Sequence, residues 1–275
     1  MNYSFTYTLT EERSIAQLLK EDWVIGKKRV HELRMEQAVR NDEGEPLSFD
    51  ETLPKGQVLH FHFTQEQPSY TPDSSEWPAV GYEDEHFIIA WKEPHWKTHP
   101  NEPDERGTFI QYVQALLLTP YAEHVNRLDE ETAGWIIVAK HPLAKAQLDR
   151  MLETRAIDRA YEATVEGKML RRRGVIRAAI GRDRHHATRR VVSSSGQRAS
   201  TRYKVIRQTN DTTTVHLELI TGRTHQIRVH LHSIGHPIVG DTLYDAEPTG
   251  EPYALTAYRV SFQHPITNEA IECIR

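Results

Sequence analysis

One cysteine in 275 residues, Cys273, leaves no partner for an internal disulfide and no cysteine set for a structural zinc site. Apolar runs stop at about five or six residues, Phe87 to Trp91 being typical, where a bilayer needs roughly 20. The opening Met-Asn-Tyr-Ser-Phe-Thr-Tyr lacks a basic segment followed by an apolar core, so no signal peptide is expected. A reducing, cytoplasmic setting without membrane contact follows. Basic charge is not in excess either: 34 Lys and Arg stand against 39 Asp and Glu, for a net charge of -5. With 38% hydrophobic and 27% charged residues, the chain reads as an ordinary globular protein, large enough for a small domain beside a medium one.

What is present divides the chain. Residues 65–78 hold three prolines and three serines without periodicity, as a linker would. The expected organisation is a small α+β domain over 1–64, a linker over 65–79 and a main domain over 80–275. In the small domain, Ser14 and Gln17 have capping-box spacing ahead of a helix with Ile15, Leu18 and Leu19 on one face. A second helical stretch carries Val30, Leu33, Met35 and Val39, with Lys27, Lys28 and Arg29 in the turn between the helices. Leu59, Phe61 and Phe63 then alternate as a strand.

In the main domain, Leu143 to Leu152 forms an amphipathic helix with Ala144, Leu148, Met151 and Leu152 on one side. Tyr161, Ala163 and Val165 share one face of a strand, as do Val215, Leu217 and Leu219 of another. A helix is expected from Thr224 to Ile234, ended by Gly235 with Pro237 just beyond. Strands from distant sections must meet, which gives an α+β fold with a mixed, mainly antiparallel sheet and a central cleft.

The most informative stretch is His124 to Gly134, where Asp129 follows Arg127 in a polar turn leading into the buried strand Trp135 to Ala139. An isolated Asp in such a turn usually caps local amides. Here it has company, in order along the chain: Tyr82-Glu83-Asp84-Glu85 with Lys92 and His99-Pro100; Tyr161 to Gly167; Gly196 to Thr201; and Thr221 to Tyr244. In these five blocks, over about residues 80 to 270, the chain resembles the RluA-type pseudouridine synthases. Their central motif, roughly His-Arg-Leu-Asp-Arg-x-Thr-Ser-Gly, is matched by Arg127, Leu128, Asp129, Thr132 and Gly134. Residues 1–64 are similar to the small RNA-binding domain, named after a ribosomal small-subunit protein, that often precedes this catalytic domain. Asn126, Glu130, Ala133, Glu93 to His95 and Thr256 depart from the family pattern, and Glu130 sets a second acid beside Asp129.

The resemblance implies isomerisation of uridine to pseudouridine in structured ribosomal or transfer RNA, within the pseudouridine synthase fold and without a cofactor. Breaking an N-glycosidic bond and rejoining the base through carbon 5 needs a carboxylate at the sugar or ring. Asp129 is the candidate, as nucleophile or as general base. Tyr161 would stack on the uracil and take or relay the carbon 5 proton; without the motif, an inward strand Tyr is as often core packing. Arg223 is expected to pair with Asp129 and keep it ionised. Arg127 is expected to displace the target nucleotide, an extrusion that costs a few kcal/mol.

Residues 150 to 232 carry 18 Lys and Arg against 7 Asp and Glu, while the remainder carries 16 against 32. A basic block is often only a solvated face. Flanking the site, Arg171, Arg172, Arg173, Arg182, Arg184, Arg189 and Arg190 read as phosphate contacts, with Lys27, Lys28 and Arg29 as a second patch. His225, His230, His232 and His236 spread around a helix without a cysteine nearby, so no metal is expected. The chain should act as a monomer with RNA as its partner. Two other classes stay in view: a non-catalytic RNA-binding or ribosome-assembly protein, and a glycosidase that would release free base.

Overall fold

The computed structural model describes residues 2–64, 70–117 and 121–275; residues 65–69 of the expected linker lie outside the described residues. In the N-terminal part, β1 (Asn2–Thr8) and β2 (Val39–Arg40) flank β3 (Val58–Thr64) in an antiparallel sheet. Helix α1 (Lys27–Met35) accompanies that sheet. The Ser14–Gln17 capping box forms in both directions, at 3.2 and 3.0 Å, and opens a helical passage that buries Ile15, Leu18 and Leu19. Two details differ from expectation. Lys27, Lys28 and Arg29 form the first turn of α1 instead of the turn before it. Val39 has left the helix for a strand, because the chain reverses at Gln37 (φ 50°) before the helical pattern can continue, and Met35 is left exposed.

The main part is built on β4 (Val80–Glu83), β5 (Phe87–Lys92), α2 (Phe109–Leu117), β6 (Ala133–Ala139), α3 (Pro142–Glu153) and β7 (Ile157–Glu166). There follow β8 (Arg173–Arg177), the hairpin pair β9 (Ile180–Arg182) and β10 (Arg190–Val192), β11 (Ser200–Gln208) and β12 (Thr212–Leu219). Helix α4 (Gln226–Ser233), β13 (Leu255–Gln263) and β14 (Ala270–Ile274) complete it. A ten-stranded sheet runs β8-β11-β12-β7-β13-β6-β5-β4, with β14 added at β13 and the two-residue strand Glu123–His124 added at β6. It is antiparallel except where β13 meets β6. There Gly134, at φ 145°, brings its backbone against Ala257, and a Cβ would sit 2.5 Å from two Ala257 atoms, so only glycine fits. Among the described residues no helix is long and apolar enough to cross a membrane.

Residues 70–79 hold no helix or strand but are tied to the main part, since Asp73 accepts the Gly107 N–H and its own N–H donates to the Gln111 carbonyl. The N-terminal sheet docks through Phe5, which stacks on His141 at 5.0 Å and meets His86 edge-on at 5.0 Å, with Leu143 in the same apolar cluster. His141 caps α3 by accepting the Ala144 N–H at Nδ1, so its Nε2–H donates to His86 Nδ1 at 3.0 Å. Burial pushes His86 down to about 4 and His141 to about 3. Both rings are therefore neutral near pH 7 and pack as apolar surface.

The sheet splits where the chemistry is to be sought. Strand β7 pairs with β12 only from Ala160 to Glu166, and its first residues, Ile157 to Arg159, pair with β13 alone. Beyond Glu218 the partner strand turns away toward Ser200. The gap between the two halves is a cleft of about 990 Å³.

Candidate active site

The loop before β6 is held at several points by side chains from neighbouring segments and from the loop itself. Thr98 Oγ1 donates to the Leu128 carbonyl at 2.8 Å and accepts the Leu128 N–H at 3.2 Å. Asn126, buried at the base, donates to the Trp135 carbonyl and accepts the Ile137 N–H, clamping the loop onto β6. That structural task explains its presence where the family pattern has His. Lys92 is fully buried and donates to the carbonyls of Glu93, Trp96 and Glu130 at 2.6–2.8 Å. Burial pulls its ammonium down to about 8, against the opposing pull of Asp129 and its neighbouring acids. Thr132 Oγ1 and the Tyr253 hydroxyl lie 3.0 Å apart. Asp129 thus stands on a rigid turn at the cleft, its side chain 26% exposed.

The countercharge is Arg228, not Arg223. Arg228 Nη1 donates to Asp129 Oδ2 at 3.1 Å, while Nε and Nη2 fork onto the two carboxylate oxygens of Asp241 at 2.7 and 2.8 Å. Its guanidinium lies 4.9 Å from the Tyr244 ring centre and 4.5 Å from that of Tyr253. Burial works against the cation, but the Asp241 hydrogen bonds and the surrounding negative charge outweigh it and leave the pKa raised. One buried cation therefore serves two carboxylates between two aromatic faces. Arg223 fails to reach Asp129 because His225 is left-handed (φ 56°) and α4 begins only at Gln226. That leaves Arg223 on the loop before the helix, its Nε directed at the Arg198 carbonyl at 3.4 Å. Gln226 anchors this loop, accepting from Thr221 Oγ1 and the Arg223 N–H and donating to Ser200 O and Thr201 Oγ1.

Tyr161 also lines the cleft. Its ring is 4% exposed and packs with Leu128, Leu217, Ile227, Tyr253 and Leu255, and no hydrogen bond engages its hydroxyl among the described residues. Arg127 is exposed on the cleft wall with no acidic partner among the described residues, and Arg223 lines the same cleft. Arg155 and Arg159 join them. Arg202 and Arg259 line the cleft too, but are paired with Glu218 at 2.6 Å and Glu272 at 3.0 Å.

The other basic residues singled out from sequence do not line this cleft. Arg171 to Arg173 lead into edge strand β8, and Arg172 shares a separate depression with Lys168 and Arg207 near the Thr212 end of β12. Arg182 and Arg190 lie on the β9–β10 hairpin, which packs beside α4, with Arg184 and Arg189 in its connecting loop. Arg189 is taken by Asp245 at 2.8 Å. In α1, Arg29 is occupied by Glu32 and Glu36, and Lys28 is 3.9 Å from Glu32. The four histidines have organic partners: His225 meets Tyr244, His230 meets Thr201 and the Ala178 carbonyl, His232 meets Asp245 and His236 meets the Glu166 carbonyl.

Sequence reasoning missed Arg228, Asp241, Tyr244 and Tyr253. The first three lie within the Thr221–Tyr244 block, and a charged residue among apolar helix positions is a signal, since a buried Arg demands a paired acid.

Residues 86–233 match the RNA pseudouridylate synthase family, just over half of the chain. The chain belongs to this family. Residues 3–59 match the RluD ribosomal pseudouridine synthase N-terminal domain. Among relatives, a Bacillus subtilis protein called uncharacterized RNA pseudouridine synthase YhcT is 44% identical over 213 residues, 75% of this chain and 70% of that protein. Ribosomal large subunit pseudouridine synthase D of Nitrosomonas europaea is 38% identical over 69% of this chain and 59% of its own length. Human RNA pseudouridylate synthase domain containing 1 superposes with a TM-score of 0.61 at 26% identity, covering 75% of this chain and 86% of that one. The protein is an RNA pseudouridine synthase, an enzyme that isomerises uridine in RNA, and its α+β fold with a mainly antiparallel sheet is that of the family.

Proposed function

We propose that Asp129 is the catalytic carboxylate, acting at the sugar of a uridine drawn into the cleft, and that large-subunit ribosomal RNA is the substrate. The observation that carries the first part is the ion pair with Arg228: a fixed guanidinium donates to Asp129 Oδ2 at 3.1 Å and orients the carboxyl group in the cleft. Tyr161 presents a ring for the uracil to stack on and, for the carbon 5 proton, a hydroxyl without a hydrogen bond among the described residues. Arg127 has no acidic partner among the described residues and is long enough to fill the stack that the target leaves. Arg223 takes the role of a rim contact to phosphate in place of an Asp129 partner. The main domain, 80–275, works with the small domain, 1–64, docked through Phe5 and His141, as a monomer in the cytoplasm. The ribosomal assignment is supported by the names of the relative from Nitrosomonas europaea and of the N-terminal domain family. Mapping pseudouridine across the RNA of a strain lacking this protein tests it: the expected result is one or a few uridines of large-subunit RNA left unconverted. A loss confined to transfer RNA overturns the ribosomal assignment.

The distal arginines are proposed as phosphate contacts outside the cleft. Changing Arg171, Arg172 and Arg173 together to Ala should weaken binding similarly across RNA sequences and leave turnover at saturating RNA unchanged. Each lost phosphate contact should reduce the slope of log K against log salt by about 0.7 to 0.9. Binding measured by titration at several salt concentrations checks this; an unchanged slope makes the run a solvated edge and moves the RNA path to the β9–β10 hairpin.

A further inference from the structure

His225 lines the cleft, and its position is determined on every side. The backbone is held at φ 56°, unfavourable for a residue with a Cβ, and the side chain is 13% exposed. The surrounding hydrogen bonds decide which ring nitrogen carries the proton. The Tyr244 hydroxyl, almost fully buried, accepts the Arg190 backbone N–H at 3.0 Å and lies 2.9 Å from His225 Nδ1. Its own proton has no other acceptor among the described residues, so it goes to Nδ1, and a neutral ring then carries its hydrogen on Nε2. Burial keeps the ring's pKa below its ordinary value despite Asp129 nearby. Nε2 stands 3.9 Å from Asp129 Oδ2, beyond hydrogen-bond reach, and has no acceptor among the described residues.

We propose that this Nε2–H binds the 2′-hydroxyl oxygen of the target nucleotide, which makes His225 the residue that reads ribose at the position being isomerised. The inference rests on the assignment of Asp129. Whether that carboxylate attacks C1′ or takes a proton from C2′, the 2′-oxygen, bonded to C2′, is the polar sugar atom beside it. A hydroxyl lodged there can donate to Asp129 and accept from His225. A deoxyribose would leave the Nε2–H in the closed site without a partner, and a site built to bond a hydroxyl discriminates strongly against its absence.

The test uses the full chain in single turnover, with an RNA carrying the target uridine and the same RNA with 2′-deoxyuridine at that position alone. Wild type should favour the ribose substrate. His225→Phe should slow the ribose reaction by about tenfold, the worth of one hydrogen bond, and leave the deoxy rate unchanged, so that the ratio falls. His225→Gln, whose amide nitrogen reaches the Nε2 position, should keep most of the preference, whereas His225→Asn, whose amide reaches only the Nδ1 position, should not. A ribose-to-deoxyribose ratio unchanged in His225→Phe overturns the proposal, as do Gln and Asn variants that behave alike. Where no variant turns over the deoxy substrate, the order of Gln over Asn on the ribose substrate decides alone. Asp129→Asn separates the two layers: activity in that variant overturns the reading beneath, while an inactive Asp129 variant beside an unaltered ribose preference in His225→Phe overturns only the role of His225.

Discussion

Asp129→Asn should lose at least about a thousandfold in single-turnover rate, roughly 4 kcal/mol of transition-state stabilisation, while RNA affinity changes little. The amide is nearly the same shape and can still accept from Arg228 Nη1, and the Arg228–Asp241 fork is untouched, so the fold has no reason to shift. The clamps on the loop, from Thr98, Asn126 and Lys92, all engage backbone or other side chains and survive the change. What disappears is the charge and basicity that either route at the sugar requires. The measurement is conversion of uridine without a change of mass, followed in single turnover beside a direct binding titration. A rate within tenfold of the parent sinks the assignment, and a rate loss matched by an equal loss of affinity makes Asp129 a binding group.

How far the sequence discloses this architecture depends on how local the signal is. Ser14 with Gln17, the alternation of Tyr161, Ala163 and Val165, and the α3 stripe of Ala144 and Leu148 rest on neighbours within a turn or a strand, and the structure has each of them. Asp129 was legible through its company of motifs rather than its own surroundings. The partner of Asp129 was not. Arg223 and Arg228 are both basic residues of one motif, and choosing between them requires knowing that His225 takes a left-handed conformation, which only a small minority of histidines adopt. Charge counting does not single out the arginines of the cleft, for a related reason. A local excess of arginine over residues 150–232 says nothing about which side of a strand each faces. In the fold, Arg159 and Arg155 come to the cleft, while Arg171 to Arg173 lead into an edge strand and Arg189 goes to Asp245. The split of the sheet between β7 and β12 is non-local as well, since it depends on where Ile220 turns to pair with Ser200.

The choice between the two arginines has a large measurable consequence. Arg228→Met removes the cation from between Tyr244 and Tyr253 and leaves Asp241, 1% exposed, as a buried charge without a partner. Breaking such a pair from one side costs about 3–5 kcal/mol against a typical domain stability of about 5–15 kcal/mol, so melting temperature and activity should fall together. Arg228→Lys distinguishes folding from catalysis. The ammonium keeps the charge beside Asp241, yet it lacks the planar fork needed to hold Asp241 with two nitrogens and Asp129 with a third. That variant should stay folded, with a melting temperature lowered far less than in the Met variant, and should lose about a hundredfold or more in single-turnover rate. Arg223→Ala should behave in the opposite way. It removes a rim side chain whose one hydrogen bond is long and exposed, so stability should hold within about 0.5 kcal/mol. Its effect should appear in RNA affinity before rate. Melting curves and single-turnover rates for the three variants side by side decide the matter. If Arg223→Ala proves the inactive, RNA-binding variant while Arg228→Lys turns over normally, the countercharge of Asp129 in the RNA-bound enzyme is Arg223, and the loop before α4 must rebuild itself when RNA binds.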